Sequence, residues 1–191
     1  MEIRNVRRLT NRKWLNLFEA TYQHGDHQGR WLFASRKADP TAERGRPDAV
    51  LVVPIVRVRR QPPRLLLIRE FRVPVGDYVY GFPAGLLEEG ESAADTARRE
   101  LLEETGFEVT KVKHVSPPLY SSCGMTDESA VMVYVDCRPT AEAAQHLDPS
   151  EEIEVVLADF NAIRRLCDDP GRVDTKVWTT LYMYCQLGEL R

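Results

Sequence analysis

Apolar residues recur along this chain with two different spacings, and the change of spacing marks out the elements. Short runs rich in β-branched and aromatic residues predict strands over 13–22, 30–36, 49–58, 64–72, 107–115, 129–136 and 152–157. The run Val131-Met132-Val133-Tyr134-Val135 is the clearest of them. Ala94, Ala97 and Leu101 stand instead at i, i+3 and i+7, the stripe of a helix over 92–105. Ser92 followed by Asp95 starts that helix as a capping box would, and Gly106 stops it. Two further helices are expected over 159–167 and 175–187, separated by Asp168-Asp169-Pro170-Gly171. The stretch 23–29 is the turn between the first two strands. Arg60-Gln61-Pro62-Pro63 turns the next pair into a hairpin. Polar residues with Pro and Gly fill 37–48, the best linker in the chain. The expected division is therefore a β-sheet region over 1–45 and a main domain over 46–191. Helices spaced among mixed strands predict an α/β sandwich rather than a bundle.

Composition narrows the function classes. A chain of 191 residues, 43% hydrophobic and 29% charged, has the make-up of one ordinary globular domain with a small appendage, and neither disorder nor a repeat array fits it. A net charge of −3 gives no pull toward nucleic acid or anionic lipid, so neither is expected as a partner. The longest clean apolar run, 49–56, is broken by Pro54 and falls far short of the roughly 20 residues a membrane helix needs. Charges at Glu2, Arg4, Arg7 and Arg8 occupy the place of a signal peptide's apolar stretch. A soluble, cytoplasmic protein is expected. Cys123, Cys137, Cys167 and Cys185 have neither disulfide-like nor zinc-like spacing and are expected as reduced thiols.

Charge becomes informative locally. From Glu88 to Glu104 seven acids face two bases, Arg98 and Arg99, so the acid is concentrated here while the rest of the chain is slightly positive. Glu100 and Glu104 are four apart and share one helix face, with Glu103 flanking it. Like charges so placed destabilise a helix by a few tenths of a kcal/mol. A hard divalent cation would compensate, since magnesium and manganese prefer carboxylate oxygens. An acid-rich helix alone is most often a solvated face. Here Arg99 lies inside the cluster, and Pro83-Ala84-Gly85 lets backbone come close to an ion.

Residues 85–107 resemble the Nudix box, Gly-x5-Glu-x7-Arg-Glu-U-x-Glu-Glu-x-Gly-U, where U is a bulky aliphatic residue. Gly85, Glu91, Arg99, Glu100, Leu101, Glu103, Glu104 and Gly106 fall in register, with Phe107 as a mild variant at the last position. The resemblance implies a Nudix fold, an α/β/α sandwich with a mixed sheet, here with a small antiparallel N-terminal sheet. It implies Mg2+, or Mn2+, held by Glu100, Glu103, Glu104 and the Ala84 carbonyl, with Glu103 also a candidate base. Gly85, Glu91, Arg99 and Gly106 would be structural, Glu91 as partner of Arg99 or an outer carboxylate. The implied chemistry is hydrolysis of a nucleoside diphosphate linked to another group.

The flanks resemble the branch that hydrolyses ADP-ribose and nucleoside diphosphate sugars. Phe71-Arg72-Val73-Pro74-Val75 and Phe82-Pro83-Ala84-Gly85 lie upstream, with Gly81 where that branch usually has an acid. Arg72 then implies a contact to the phosphates. Trp31-Leu32-Phe33-Ala34-Ser35-Arg36 is similar to the branch's pattern ahead of the main domain. It implies a homodimer through the N-terminal sheet, with Arg36, Trp31 and Phe33 near base or sugar. The loop from Leu119 to Glu128 implies Glu128 as general base or extra metal ligand. Cys123 stands where ADP-ribose hydrolases carry a proline, which leaves room for other nucleotide sugars such as GDP-mannose. The alternatives are another Nudix substrate, such as a dinucleoside polyphosphate or nucleoside triphosphate, and a Nudix module that binds a nucleotide without cutting it.

Overall fold

The computed structural model describes residues 1–142, 144–149 and 151–190. It divides into two compact units, Met1–Ala49 with Pro117–Val131, and Val50–Ser116 with Met132–Arg191. In chain order the elements are β1 (Glu2–Arg8), β2 (Asn16–His24), β3 (His27–Ser35), β4 (Ala49–Val56), β5 (Arg64–Arg72), β6 (Asp77–Gly81), β7 (Ala84–Leu86), α1 (Ala93–Thr105), β8 (Phe107–Val115), β9 (Leu119–Tyr120), β10 (Ser129–Pro139), β11 (Ile153–Ala158), α2 (Phe160–Asp168) and α3 (Thr175–Leu187).

The first unit is built on the antiparallel sheet β1-β2-β3. The β2–β3 turn is tighter than the sequence suggests: pairing continues to His24 opposite His27, leaving only Gly25 and Asp26 between the strands. Phe18 is buried and stacks on Phe33 at 5.6 Å. The loop of this unit is stitched to β3 by Ala34 N–H to the Met125 carbonyl, 2.9 Å, and by the Trp31 indole N–H to the Gly124 carbonyl, 3.1 Å. The strand β1 is absent from the sequence expectation. Its residues are nearly all exposed, so it lacks the buried alternation that signals a strand, and pairing with β2 makes it one.

The second unit carries the central sheet, ordered β11-β5-β4-β10-β8, with β6 beside β5 and β7 beside β4. The pairs β11–β5, β5–β4 and β10–β8 are antiparallel. Bonds from Asp48 N–H to Ser129 and from Arg57 N–H to Cys137 advance together, so β4 and β10 run parallel and the sheet is mixed. Leu65, Leu66, Leu67 and Ile68 are all fully buried, because β5 is covered on both faces and needs no polar alternation. Leu65 and Leu67 join Ile163 of α2 and Val177, Leu181 and Tyr184 of α3 in one core cluster. The helix α1 buries Ala97 and Leu101 and packs against β7 and β8. This is the α/β/α sandwich the sequence predicts, with its small antiparallel N-terminal sheet. The strands β6, β7 and β9 are additions, too short to show a period. Among the described residues no helix is long and apolar enough to cross a membrane.

Candidate active site

The helix α1 is fixed at both ends before it presents any chemistry. The Ser92 hydroxyl accepts from Asp95 N–H at 3.2 Å and donates to the Asp95 carboxylate at 2.7 Å. Gly106 takes φ 72° and returns its N–H to the Leu102 carbonyl at 2.9 Å. The C-terminal turn is gripped a second time by the segment before β11. The Gln145 amide donates to the Glu104 carbonyl at 2.6 Å, and His146 N–H donates to the Glu103 carbonyl at 2.7 Å.

Arg99 organises the acidic face. Its Nε and Nη2 each bond Glu91 at 3.0 Å in a forked pair. Its Nη1 reaches Glu100 at 2.6 Å and Glu103 at 3.3 Å. Thr96 donates its hydroxyl to Glu91 at 2.8 Å. The bond from Arg99, then that from Thr96, pulls the Glu91 carboxyl down to about 2. The same fork pushes the Arg99 guanidinium further above its ordinary range.

Gly85 shows why the approach must be bare. A Cβ there would lie 1.7 Å from the Glu100 carboxylate oxygen, so any side chain would displace that carboxylate. Beside it, Ala84 N–H donates to Glu104 Oε2 at 3.2 Å. Glu104 is 5% exposed, and burial, then the charge of Glu100, raises its carboxyl to about 9. Burial also raises Glu100, against the pull of Arg99. Glu103 is the open member, its side chain 44% exposed.

Two further acids meet this cluster that sequence reasoning gave no role. Glu70 on β5 is raised by burial and by Glu151, and bonds Arg72 at 2.8 Å. Glu151, just before β11, raises Glu70, Glu100 and Glu104 together. Only the pairing of Ile153 with Glu70 across β11 and β5 brings them near each other. The one available signal was an acidic pair opening a short apolar strand.

The remaining expected residues belong to the first unit. Arg36 pairs with Glu128 at 3.1 Å. Trp31 lines a cavity of about 430 Å³ together with Tyr22, Phe33, Cys123, Lys37 and Asp127. Lys37 and Asp48, 5% and 6% exposed, form a buried pair at 2.9 Å, and Asp48 also accepts from Ser129 N–H.

Among the described residues no three acidic, histidine or cysteine side chains already converge as a metal cage. The donors nevertheless suit a hard divalent cation. They are all oxygens, Glu104 is buried and Glu100 partly so, and among the described residues Glu104 has a single backbone N–H and no cation to balance it.

A mixed α/β/α sandwich with a carboxylate cluster on a capped helix, held by an internal arginine, is the arrangement that the resemblance of 85–107 to the box of the Nudix hydrolases implies. The comparisons agree. The NUDIX domain profile matches residues 45–178. The chain is 32% identical over 180 residues to a Caenorhabditis elegans protein described as a nudix hydrolase, covering 91% of this chain and 79% of that one. It is 30% identical over 126 residues to the ADP-ribose pyrophosphatase of Bacillus subtilis, covering 66% and 67%. The crystal structure of an ADP compounds hydrolase superposes with a TM-score of 0.71 at 21% identity, covering 97% of this chain and 92% of that one. The chain belongs to the Nudix family. It is a Nudix pyrophosphatase.

Proposed function

We propose that this protein hydrolyses the diphosphate bridge of nucleoside diphosphate sugars, ADP-ribose foremost, to a nucleoside monophosphate and a sugar phosphate. The observation that carries the reading is Glu104, a buried carboxylate with no cation beside it among the described residues, bonded by Ala84 N–H and repelled by Glu100. The Bacillus subtilis relative and the structural neighbour are both named for ADP compounds, which favours an adenosine diphosphate substrate.

In this reading Glu100, Glu103, Glu104 and the Ala84 carbonyl hold Mg2+ or Mn2+. Held there, such an ion would supply positive charge to the diphosphate oxygens and would make the attacking water easier to ionise. Arg99 keeps Glu91, Glu100 and Glu103 in register, so the acids are placed before substrate arrives. Gly85 leaves room for Glu100, and Gly106 ends the helix just after Glu104 and Thr105. Arg72 and Arg36 take phosphate oxygens by exchanging their present partners, Glu70 and Glu128, for the substrate. Trp31 offers a ring face to the base. Glu103 and Glu128 are the candidate bases implied by the box and by the loop. Glu151 joins them because its charge acts on Glu70, Glu100 and Glu104 at once. We further propose a cytoplasmic homodimer joined through the β1-β2-β3 sheet.

The test is a phosphatase-coupled release assay with magnesium, over ADP-ribose, other nucleotide sugars, dinucleoside polyphosphates and nucleoside triphosphates. Turnover confined to sugar nucleotides and abolished by EDTA supports the proposal. Turnover of triphosphates or dinucleoside polyphosphates alone overturns the substrate class and leaves the Nudix chemistry standing.

A further inference from the structure

The helices α2 and α3 share one core through Ile163, Val177, Leu181 and Tyr184. At their edge Cys167 and Cys185 meet with their sulfurs 3.2 Å apart, although 18 positions separate them in the chain. Both thiols are partly exposed, so a small reagent can reach them. Cys137 is fully buried, while Cys123 is exposed on the loop of the other unit. A disulfide bond is about 2.05 Å long, so closing the gap takes a movement of about 1.2 Å.

We infer that Cys167 and Cys185 are a reversible disulfide site that staples α2 to α3 when a low-molecular-weight disulfide is the oxidant. One thiolate attacks a sulfur of the small disulfide, releasing one small thiol and leaving a mixed disulfide. The other thiolate attacks the protein sulfur of that bridge and releases the second small thiol. Two protein thiols lose two electrons, one small disulfide gains them, and the two protons pass to the released thiols. Burial, then the neighbouring Cys185, raises the Cys167 thiol, so alkaline pH favours the thiolate that the exchange needs.

The closed loop contains the connection between the helices. There Tyr80 N–H bonds the Arg172 carbonyl and Asp174 N–H bonds the Tyr80 carbonyl, each at 2.9 Å. A cross-link that already suits the folded positions restricts mainly the unfolded chain, so the oxidised protein is the more stable form.

The experiment uses the full chain carrying Cys123→Ser, incubated overnight with oxidised glutathione at pH 8.5. Free thiols counted after denaturation should fall from three to one, with a peptide pair joining Cys167 to Cys185. The Tm should rise by about 5 °C and return on reduction. Adding Cys185→Ser should abolish both the bridge and the rise. Three surviving thiols, a persistent glutathione adduct without the bridge, an unchanged or lowered Tm, or the same rise in the Cys185→Ser chain would each overturn the inference.

Discussion

Two buried carboxylates, one in each unit, are treated in opposite ways. Asp48 sits with the Lys37 ammonium at 2.9 Å and accepts a second bond from Ser129 N–H, so its charge is answered within the chain. Glu104 is also buried, yet its one direct partner among the described residues is the Ala84 N–H, and the charge of Glu100 repels it. A folded chain that only had to be stable would treat both as it treats Asp48; without a cation beside it, Glu104 keeps its proton up to about pH 9 rather than bury an unbalanced charge. The contrast separates a carboxylate that holds the fold from one kept for a cation that comes from outside.

The largest effect that could break this contrast is on activity. Glu104→Gln keeps the shape and removes the charge, so kcat/KM should fall on the order of 10³-fold while the Tm holds or rises. Retained turnover would remove Glu104 from the chemistry. Lys37→Met tests the other side. It strands Asp48 without its cation, and urea unfolding should show a loss of about 3–5 kcal/mol. A loss under about 1 kcal/mol would mean that the pair is not what satisfies Asp48.

The third test is a pH dependence, and its sign follows from Glu104. With a folded value of about 9 against an ordinary 4.5, the metal-free folded protein holds a proton that the unfolded chain releases across that window. Its stability should therefore fall as pH rises from about 5 toward 9. Mg2+ or Mn2+ should raise the Tm more at pH 8.5 than at pH 6, because binding needs the ionised carboxylate. Thermal melts with and without metal, for the native chain and Glu104→Gln, give the comparison. An equal metal shift at both pH values, or one that survives Glu104→Gln, would place the ion elsewhere.

Much of this is legible in the sequence. The helix α1 could be read because its signals are local: Ser92 caps, Gly106 stops, and Ala97 and Leu101 bury at helical spacing. The box could be read because its spacing within one helix is itself geometry. What was illegible came from contacts between distant positions. The strand β1 exists through β2, Glu151 meets the box through the β11–β5 pairing, and Cys167 finds Cys185 through the packing of α2 on α3. The loop Pro117–Val131 sits with the first 49 residues because hydrogen bonds from β3 hold it there, and nothing in its own residues announces that.

By itself, then, the sequence determined the helical placement of Arg99, Glu100, Glu103 and Glu104, because 3.6 residues per turn puts positions three and four apart on one face wherever the helix lies. Only the tertiary structure decided which of those acids is buried and which is open. Desolvation depends on the atoms that surround a carboxylate, and for Glu104 those atoms come from Ala84, twenty residues away, and from strands and loops brought in from the rest of the second unit.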